Sequence, residues 1–154
     1  MALPTTHERK RLMQEILTTA VEGGITYWCN ERAEDGTLQV ERIDRGADHV
    51  VERIVFNRAA VEECSGASLR NGYANGARTT GLTVTVEASA MLRTIKGIVA
   101  GKVTWGGKPL TGQSTVLKLA RQLQFAGPDD APDYDAGDAD NLLQAALFGD
   151  VVYG

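Results

Sequence analysis

The spacing of apolar residues changes twice along this chain, and this limits the folds that it can adopt. Between about residues 25 and 56, short segments rich in strand-forming residues follow one another, and residues 25–30 alternate with the period of two that is typical of strands. Before this stretch, apolar residues recur at helical spacing at Leu12, Met13, Ile16, Leu17, Ala20 and Val21, and from Met91 onwards helical spacing returns. A helix, then strands, then further helices predicts an α+β domain.

The first predicted helix has a recognisable start and end. Thr5 and Glu8 have the spacing of a capping box, and Gly23-Gly24 provides the glycine with which helices often end. The face opposite the apolar residues is expected to lie in solvent and carries Arg9, Lys10, Gln14 and Glu15.

Three segments predict strands of one antiparallel meander packed on the first helix. They are residues 25–30, a segment with Leu38 and Val40 that follows an Asp35-Gly36 turn, and Val50 to Phe56. A short strand from Val103 to Trp105 and a turn at Gly106-Gly107 are expected later. The fold prediction is therefore an α+β domain with an N-terminal helix, a three-stranded antiparallel meander and then three helices, which are centred on residues 91–101, 113–124 and 142–147.

The whole chain, residues 1–154, is predicted to be one domain, because its length suits a single hydrophobic core. Two segments interrupt the regular pattern. An irregular polar loop is expected at about residues 57–81, and an acidic linker at about 127–138. Long loops inside compact domains are usually functional or disordered.

Composition argues against several classes of protein. The net charge is −4, whereas nucleic-acid binders usually carry a basic surplus, so nucleic acid is not expected as a partner. Two cysteines and two histidines make neither a disulfide framework nor a zinc motif, and no cofactor is predicted. No apolar run reaches the roughly 18 residues of a membrane span, and the first residues lack a secretory core, so we expect no membrane contact and a cytoplasmic location.

Two stretches carry a resemblance. They are TTAVEGGITYW at residues 18–28 and DAGDADNLLQAALFGDVVYG at residues 135–154. Both are similar to segments of small accessory proteins of tailed bacteriophages, mainly those of actinobacteria. The resemblance implies a phage-encoded accessory protein that works in the host cytoplasm, and it brings no assigned catalytic residues.

Catalytic and metal-binding patterns are weak. No spacing pairs a nucleophile with a base, so no catalytic residue is predicted. The aspartates from Asp129 to Asp140 resemble a calcium loop, but the glycine and the final glutamate are misplaced. A helix cap by Asp135 or Asp138 is the simpler interpretation, and no metal site is predicted.

The Tyr27-Trp28 pair is the strongest candidate for a binding feature. Adjacent rings on a strand point to opposite faces, so one can join the core while the other stacks on a nucleobase or a partner. A Tyr-Trp pair that is buried in the core is the alternative. The candidate ligand-binding residues combine this strand with donors from the polar loop: Tyr27, Trp28, Asn30, Arg32, Arg70, Asn71, Tyr73 and Arg78.

These features favour a non-catalytic binding protein. Its expected function is to sequester a nucleotide-derived host defence signal. The alternatives are a protein that inhibits a host enzyme or nucleic-acid-binding protein through its exposed strand edge or its acidic segment, and a small nucleotide-processing enzyme. A homo-oligomer is expected because an open strand edge and the apolar tail favour self-association.

Overall fold

The structure is a computed structural model, and it describes residues 4–24, 38–45, 48–58, 78–80 and 83–151. Its helices are α1 (Thr6–Thr19, extended by a π-helical turn at Ala20–Gly24), α2 (Ala88–Val99), α3 (Thr115–Leu123) and α4 (Ala136–Phe148). Its strands are β1 (Leu38–Arg45), β2 (Asp48–Asn57), β3 (Arg78–Thr80), β4 (Thr83–Glu87), β5 (Thr104–Trp105), β6 (Lys108–Pro109) and β7 (Asp150–Val151). The described part of the chain is α+β, as the sequence predicts.

Helix α1 begins with the capping box that the sequence predicts. The Glu8 N–H donates to Thr5 Oγ1 at 3.1 Å, and the Thr5 N–H donates to Glu8 Oε1 at 3.1 Å. The six apolar residues of the predicted inner face are all buried. The expectation for Gln14 was wrong, because its side chain is only 1% exposed instead of lying in solvent.

The main sheet has the strand order β1-β2-β4-β3, and every neighbouring pair is antiparallel. The predicted three-stranded meander is therefore not confirmed. Its first strand, residues 25–30, lies outside the described residues, and the second neighbour of β2 is β4, which comes from much further along the chain. The reason is apolar pairing, since buried Ile54 and Phe56 lie opposite buried Val86 and Val84.

The predicted polar loop at 57–81 is also shorter at both ends than expected. Asn57 ends β2, and Arg78–Thr80 form β3, which pairs with β4. The central part of the predicted loop, residues 59–77, lies outside the described residues.

Strand β2 contains a bulge at Glu52. Glu41 lies opposite Arg53, whereas the next residue of β1, Arg42, lies opposite Val51, so β2 has one more residue than β1 at this point. The extra residue lets Val51 and Ile54, three positions apart, both point into the core. The sequence VVERIVF breaks strict alternation for this reason.

A second, small sheet has the order β6-β5-β7 and joins the C-terminal end of the described chain to its middle. Gly106 and Gly107 have positive φ values of 56° and 81°, and they form the predicted tight turn between β5 and β6. Gly149 ends α4 in the left-handed region at φ 67°, and the chain then enters β7, which runs parallel to β5. Asp150–Val151 are thus held in the small sheet, while residues 152–154 lie outside the described residues.

The core lies between the main sheet and the helices. Helix α1 packs on β2, α2 and α4, and α2 also packs on α3. Helix α4 is buried along its whole second half, from Leu142 to Phe148. It begins with the predicted acidic cap, because the Asp138 N–H donates to Asp135 Oδ1 at 2.8 Å and the Asp135 N–H donates to Asp138 Oδ2 at 3.1 Å.

Candidate functional site

Most of the site predicted from the sequence falls outside the described residues. This applies to Tyr27, Trp28, Asn30, Arg32, Arg70, Asn71 and Tyr73. The backbone of Arg78 is described: it opens β3, where it lies opposite Thr85 of β4. The convergence of these eight residues on one ligand therefore stays a prediction.

The described residues form a different candidate site, a cavity of about 270 Å³. It lies where the N-terminal half of α1 meets the bulge of β2 and the junction between β4 and α2. Its volume is close to the lower end of the range for small-molecule pockets, roughly 300–1,000 Å³. The residues that line it are Thr6, Lys10, Glu52, Glu87, Ala88, Ser89 and Leu92.

Helix α1 contributes one wall through residues spaced by four. Thr6 and Lys10 line the cavity, and Gln14 lies one turn further along the same stripe. The Gln14 side chain does not line the cavity: it is 1% exposed, and its Nε2 has no hydrogen-bond partner among the described residues. Because buried polar atoms are nearly always paired in native proteins, this amide is a cost to the stability of the fold.

Strand β2 contributes Glu52, the extra residue of the bulge. Bulges often re-aim a side chain next to a binding site, and here the bulge places Glu52 in the cavity wall. Its charge is partly balanced, because Arg53 Nη2 lies 3.7 Å from Glu52 Oε1. Arg53 Nε also lies 3.1 Å from Glu41 Oε2, an ion pair without the N–H···O alignment of a hydrogen bond.

The third wall is the start of α2. Glu87 is the N-cap residue, but its side chain makes no capping hydrogen bond, so it does not occupy the helix end. The first turn of a helix has N–H groups without helical partners and a partial positive charge, and both suit an acidic group. Ser89 adds a hydroxyl, while Ala88 and Leu92 add apolar surface.

The lining of the cavity is chemically mixed. It combines an amine, two carboxylates, two hydroxyls and apolar carbon, with neither histidine nor cysteine among the lining residues. Within the part of the chain that the structure describes, no group of three or more His, Cys, Asp or Glu residues could hold a metal ion.

One displaced pKa lies elsewhere, where the acidic linker crosses α1. Burial raises the pKa of the Tyr134 hydroxyl, a side-chain hydrogen bond with Thr19 opposes this shift, and the nearby Glu15 carboxylate adds to it. Tyr134 packs against the core and ties the linker to α1. This tyrosine is structural and does not line the cavity.

Sequence reasoning missed the cavity because its walls come from distant parts of the chain. One signal was nevertheless present. Glu52 stands where strand alternation breaks, which is where a bulge is expected.

None of the described helices has both the length and the apolar composition that are needed to cross a membrane. Comparison of the chain with protein-family models, with curated proteins and with solved structures gave no match to any of them.

Proposed function

We propose that this chain is a non-catalytic binding protein and that its cavity holds a small nucleotide-type ligand. The observation that carries the proposal is the cavity at the start of α2, whose lining combines an amine, two carboxylates, two hydroxyls and apolar carbon.

A nucleotide matches the mixed chemistry of the lining. Lys10, the Ser89 hydroxyl and the first turn of α2 suit a phosphate. The carboxylates of Glu52 and Glu87 accept hydrogen bonds, and ribose hydroxyls or a base amino group can donate them. Leu92 and Ala88 offer apolar surface to a base. A purely anionic ligand would suit this lining less well, because two carboxylates face one lysine.

The biological role that we propose is sequestration. A phage accessory protein in the host cytoplasm that binds a nucleotide-derived defence signal, without converting it, would lower the free concentration of that signal. The resemblance of residues 18–28 and 135–154 to phage accessory proteins supports this setting, and the cavity supports binding. The eight residues predicted from the sequence, from Tyr27 to Arg78, belong to the same proposal as a second ligand-binding element.

A thermal-shift screen tests the ligand class. Cyclic dinucleotides and ADP-ribose-type nucleotides are added to the wild-type chain and to two variants of α1, Lys10→Met and Arg11→Met. The variants lose the same charge, but Arg11 is exposed and pairs with Glu15 at 3.6 Å instead of lining the cavity. At least one nucleotide should stabilise the wild type and Arg11→Met, whereas Lys10→Met should lose most of the shift.

A second function is favoured by one observation. Four aspartates of the acidic linker, Asp129, Asp130, Asp133 and Asp135, are exposed, and such a surface can imitate nucleic acid towards a basic host protein. Two results together would favour this inhibitor function over nucleotide binding. The first is that no nucleotide shifts the melting temperature. The second is that the wild-type chain retains a host protein in a pulldown, whereas the variant with these four aspartates changed to asparagine does not.

A further inference from the structure

The lining of the cavity changes in character from the solvent inwards. Three exposed residues border the opening and supply an amine and two hydroxyls: Lys10, Thr6 and Ser89. Deeper residues are half-buried or buried, and they supply two carboxylates and apolar carbon: Glu52, Glu87, Leu92 and Ala88. The cavity therefore has its cation at the opening and its carboxylates further inside.

A nucleotide suits this gradient in one orientation. Its phosphate is attracted by Lys10 and repelled by the carboxylates of Glu52 and Glu87, so the phosphate belongs at the opening. A base is neutral and planar, and it can lie against the apolar carbon of Ala88 and Leu92. The base of the ligand therefore points inwards, towards the carboxylates.

The two carboxylates differ in their surroundings. Glu52 shares its charge with Arg53, whose Nη2 lies 3.7 Å from Glu52 Oε1. Glu87 is the N-cap residue of α2, but its side chain makes no capping hydrogen bond and so does not occupy the end of its own helix. The Glu87 carboxylate is therefore the stronger candidate as the acceptor for a base.

An ionised carboxylate selects among bases because it can only accept hydrogen bonds. Guanine carries two adjacent donors, N1–H and the 2-amino group, and they match the two oxygen atoms of one carboxylate. Adenine and cytosine have an acceptor nitrogen next to their amino group, and uracil has a carbonyl oxygen on each side of its N–H. Each of these three bases would therefore set an acceptor against the carboxylate. Adenine is instead suited by an amide side chain, which has one donor and one acceptor.

We propose that the cavity binds a guanine nucleotide with its base inwards. The Glu87 carboxylate accepts hydrogen bonds from N1–H and from the 2-amino group, Leu92 contacts the base, and Lys10 lies beside the phosphate. This specificity rests on the nucleotide-binding function proposed above, and it names the base that this function leaves open.

Titration calorimetry of the wild-type chain with GMP, AMP and IMP tests the choice of base. The three probes have the same ribose and the same phosphate, so a difference in affinity comes from the base. We expect GMP to bind at least about tenfold more tightly than AMP, because one bidentate contact to a base contributes about that factor of discrimination. IMP keeps N1–H but lacks the 2-amino group, so its affinity should lie between those of GMP and AMP.

Three variants separate the contact to the base from the contact to the phosphate. Glu87→Gln should lower the ratio of the GMP and AMP affinities to about one or below, because an amide suits adenine. Lys10→Met should weaken the binding of both nucleotides by the same factor, since they carry the same phosphate, and should leave the ratio unchanged. Glu15→Gln, the same change as in Glu87→Gln at a residue of α1 that does not line the cavity, should alter neither affinity.

Circular dichroism would confirm that each variant folds, and the comparison of the three probes on the wild type needs no variant. Three results would overturn the guanine specificity while the nucleotide-binding function stands. They are equal affinity of the wild type for GMP and AMP, binding of IMP as tight as that of GMP, and an unchanged affinity ratio in Glu87→Gln. If none of the three probes binds, the guanine specificity is also overturned. If in addition no nucleotide stabilises the chain in the thermal-shift screen, the nucleotide-binding function is overturned with it.

Discussion

The hydroxyl of Thr18 in α1 accepts a hydrogen bond from the backbone N–H of Val51 in β2, at 2.9 Å. Val51 precedes the bulge residue Glu52, and its N–H is thus bonded to the helix. The same hydroxyl donates to the Gln14 carbonyl oxygen at 2.8 Å. One threonine therefore joins the helix that provides Lys10 to the strand that provides Glu52, and both of these residues line the cavity.

Thr18→Val should destabilise the fold by about 1–3 kcal/mol, because it leaves the Val51 N–H without its partner. Thr18→Ser keeps the hydroxyl and should cost less, through the loss of one methyl group. Urea unfolding of the two variants measures the difference in the free energy of unfolding. Equal losses in both variants would show that packing of the methyl group, and not the hydrogen bond, joins α1 to β2.

Gln14→Met should separate stability from binding. Methionine has a similar length and no polar atom, so replacing the unpartnered amide should raise the free energy of unfolding of the ligand-free chain by about 1 kcal/mol. The same variant should bind the nucleotide with unchanged affinity, because Gln14 does not line the cavity. A less stable variant would show that the amide is paired in the folded chain, and weaker nucleotide binding would show that Gln14 contributes to the ligand site.

Gly97 and Gly127 provide a matched pair of glycine-to-alanine tests. Gly97 lies within α2, and a Cβ atom there would meet no atom of the described residues within 4 Å beyond the backbone of its own helix, so Gly97→Ala should stabilise the chain by about 0.5–1 kcal/mol. At Gly127 a Cβ atom would lie 3.0 Å from Pro4 Cβ, so Gly127→Ala should destabilise the chain where the linker meets the start of α1. Thermal unfolding measures whether the melting temperature rises in Gly97→Ala and falls in Gly127→Ala. A loss of stability in Gly97→Ala would show that neighbouring atoms pack closely against α2 at this position.

Tyr134 should make the fold sensitive to alkaline pH. Burial, opposed by the Thr19 hydrogen bond and reinforced by Glu15, raises the pKa of Tyr134 above its ordinary value of 10.0. As pH rises, the Tyr134 hydroxyl therefore loses its proton in the unfolded chain before it does so in the folded chain. The contribution of Tyr134 to the free energy of unfolding is fully present below about pH 10, and it is lost as pH rises through the higher pKa of the folded chain. The difference in unfolding free energy between the wild type and Tyr134→Phe, measured in urea, should shrink above about pH 10. A constant difference across this range would contradict the raised pKa.

Local features of this fold could be predicted from the sequence. Thr5 with Glu8, Asp135 with Asp138, and Gly106-Gly107 each act within a few residues, and the structure confirms the predicted capping box of α1, the predicted acidic cap of α4 and the turn. All the residues that form each of these features are close together in the sequence, so the remaining chain is not needed to predict them.

Features that depend on distant pairing could not be predicted in the same way. Strand β4 lies beside β2 because Val84 and Val86 complete an apolar face, and nothing in the intervening polar segment indicates this neighbour. The cavity has the same origin, since Lys10, Glu52 and Ser89 meet only after the sheet and two helices have packed.

Recovery of the ligand after prolonged incubation tests the central proposal most directly. The chain is incubated with a stoichiometric amount of the nucleotide that gives the largest thermal shift and is then separated from free nucleotide. The protein is denatured, and the released ligand is identified by mass spectrometry. We expect about one unchanged nucleotide for each wild-type or Arg11→Met chain, and much less for Lys10→Met. A released nucleotide of altered mass would show a catalyst, and the absence of retained nucleotide would show that the cavity does not serve this function.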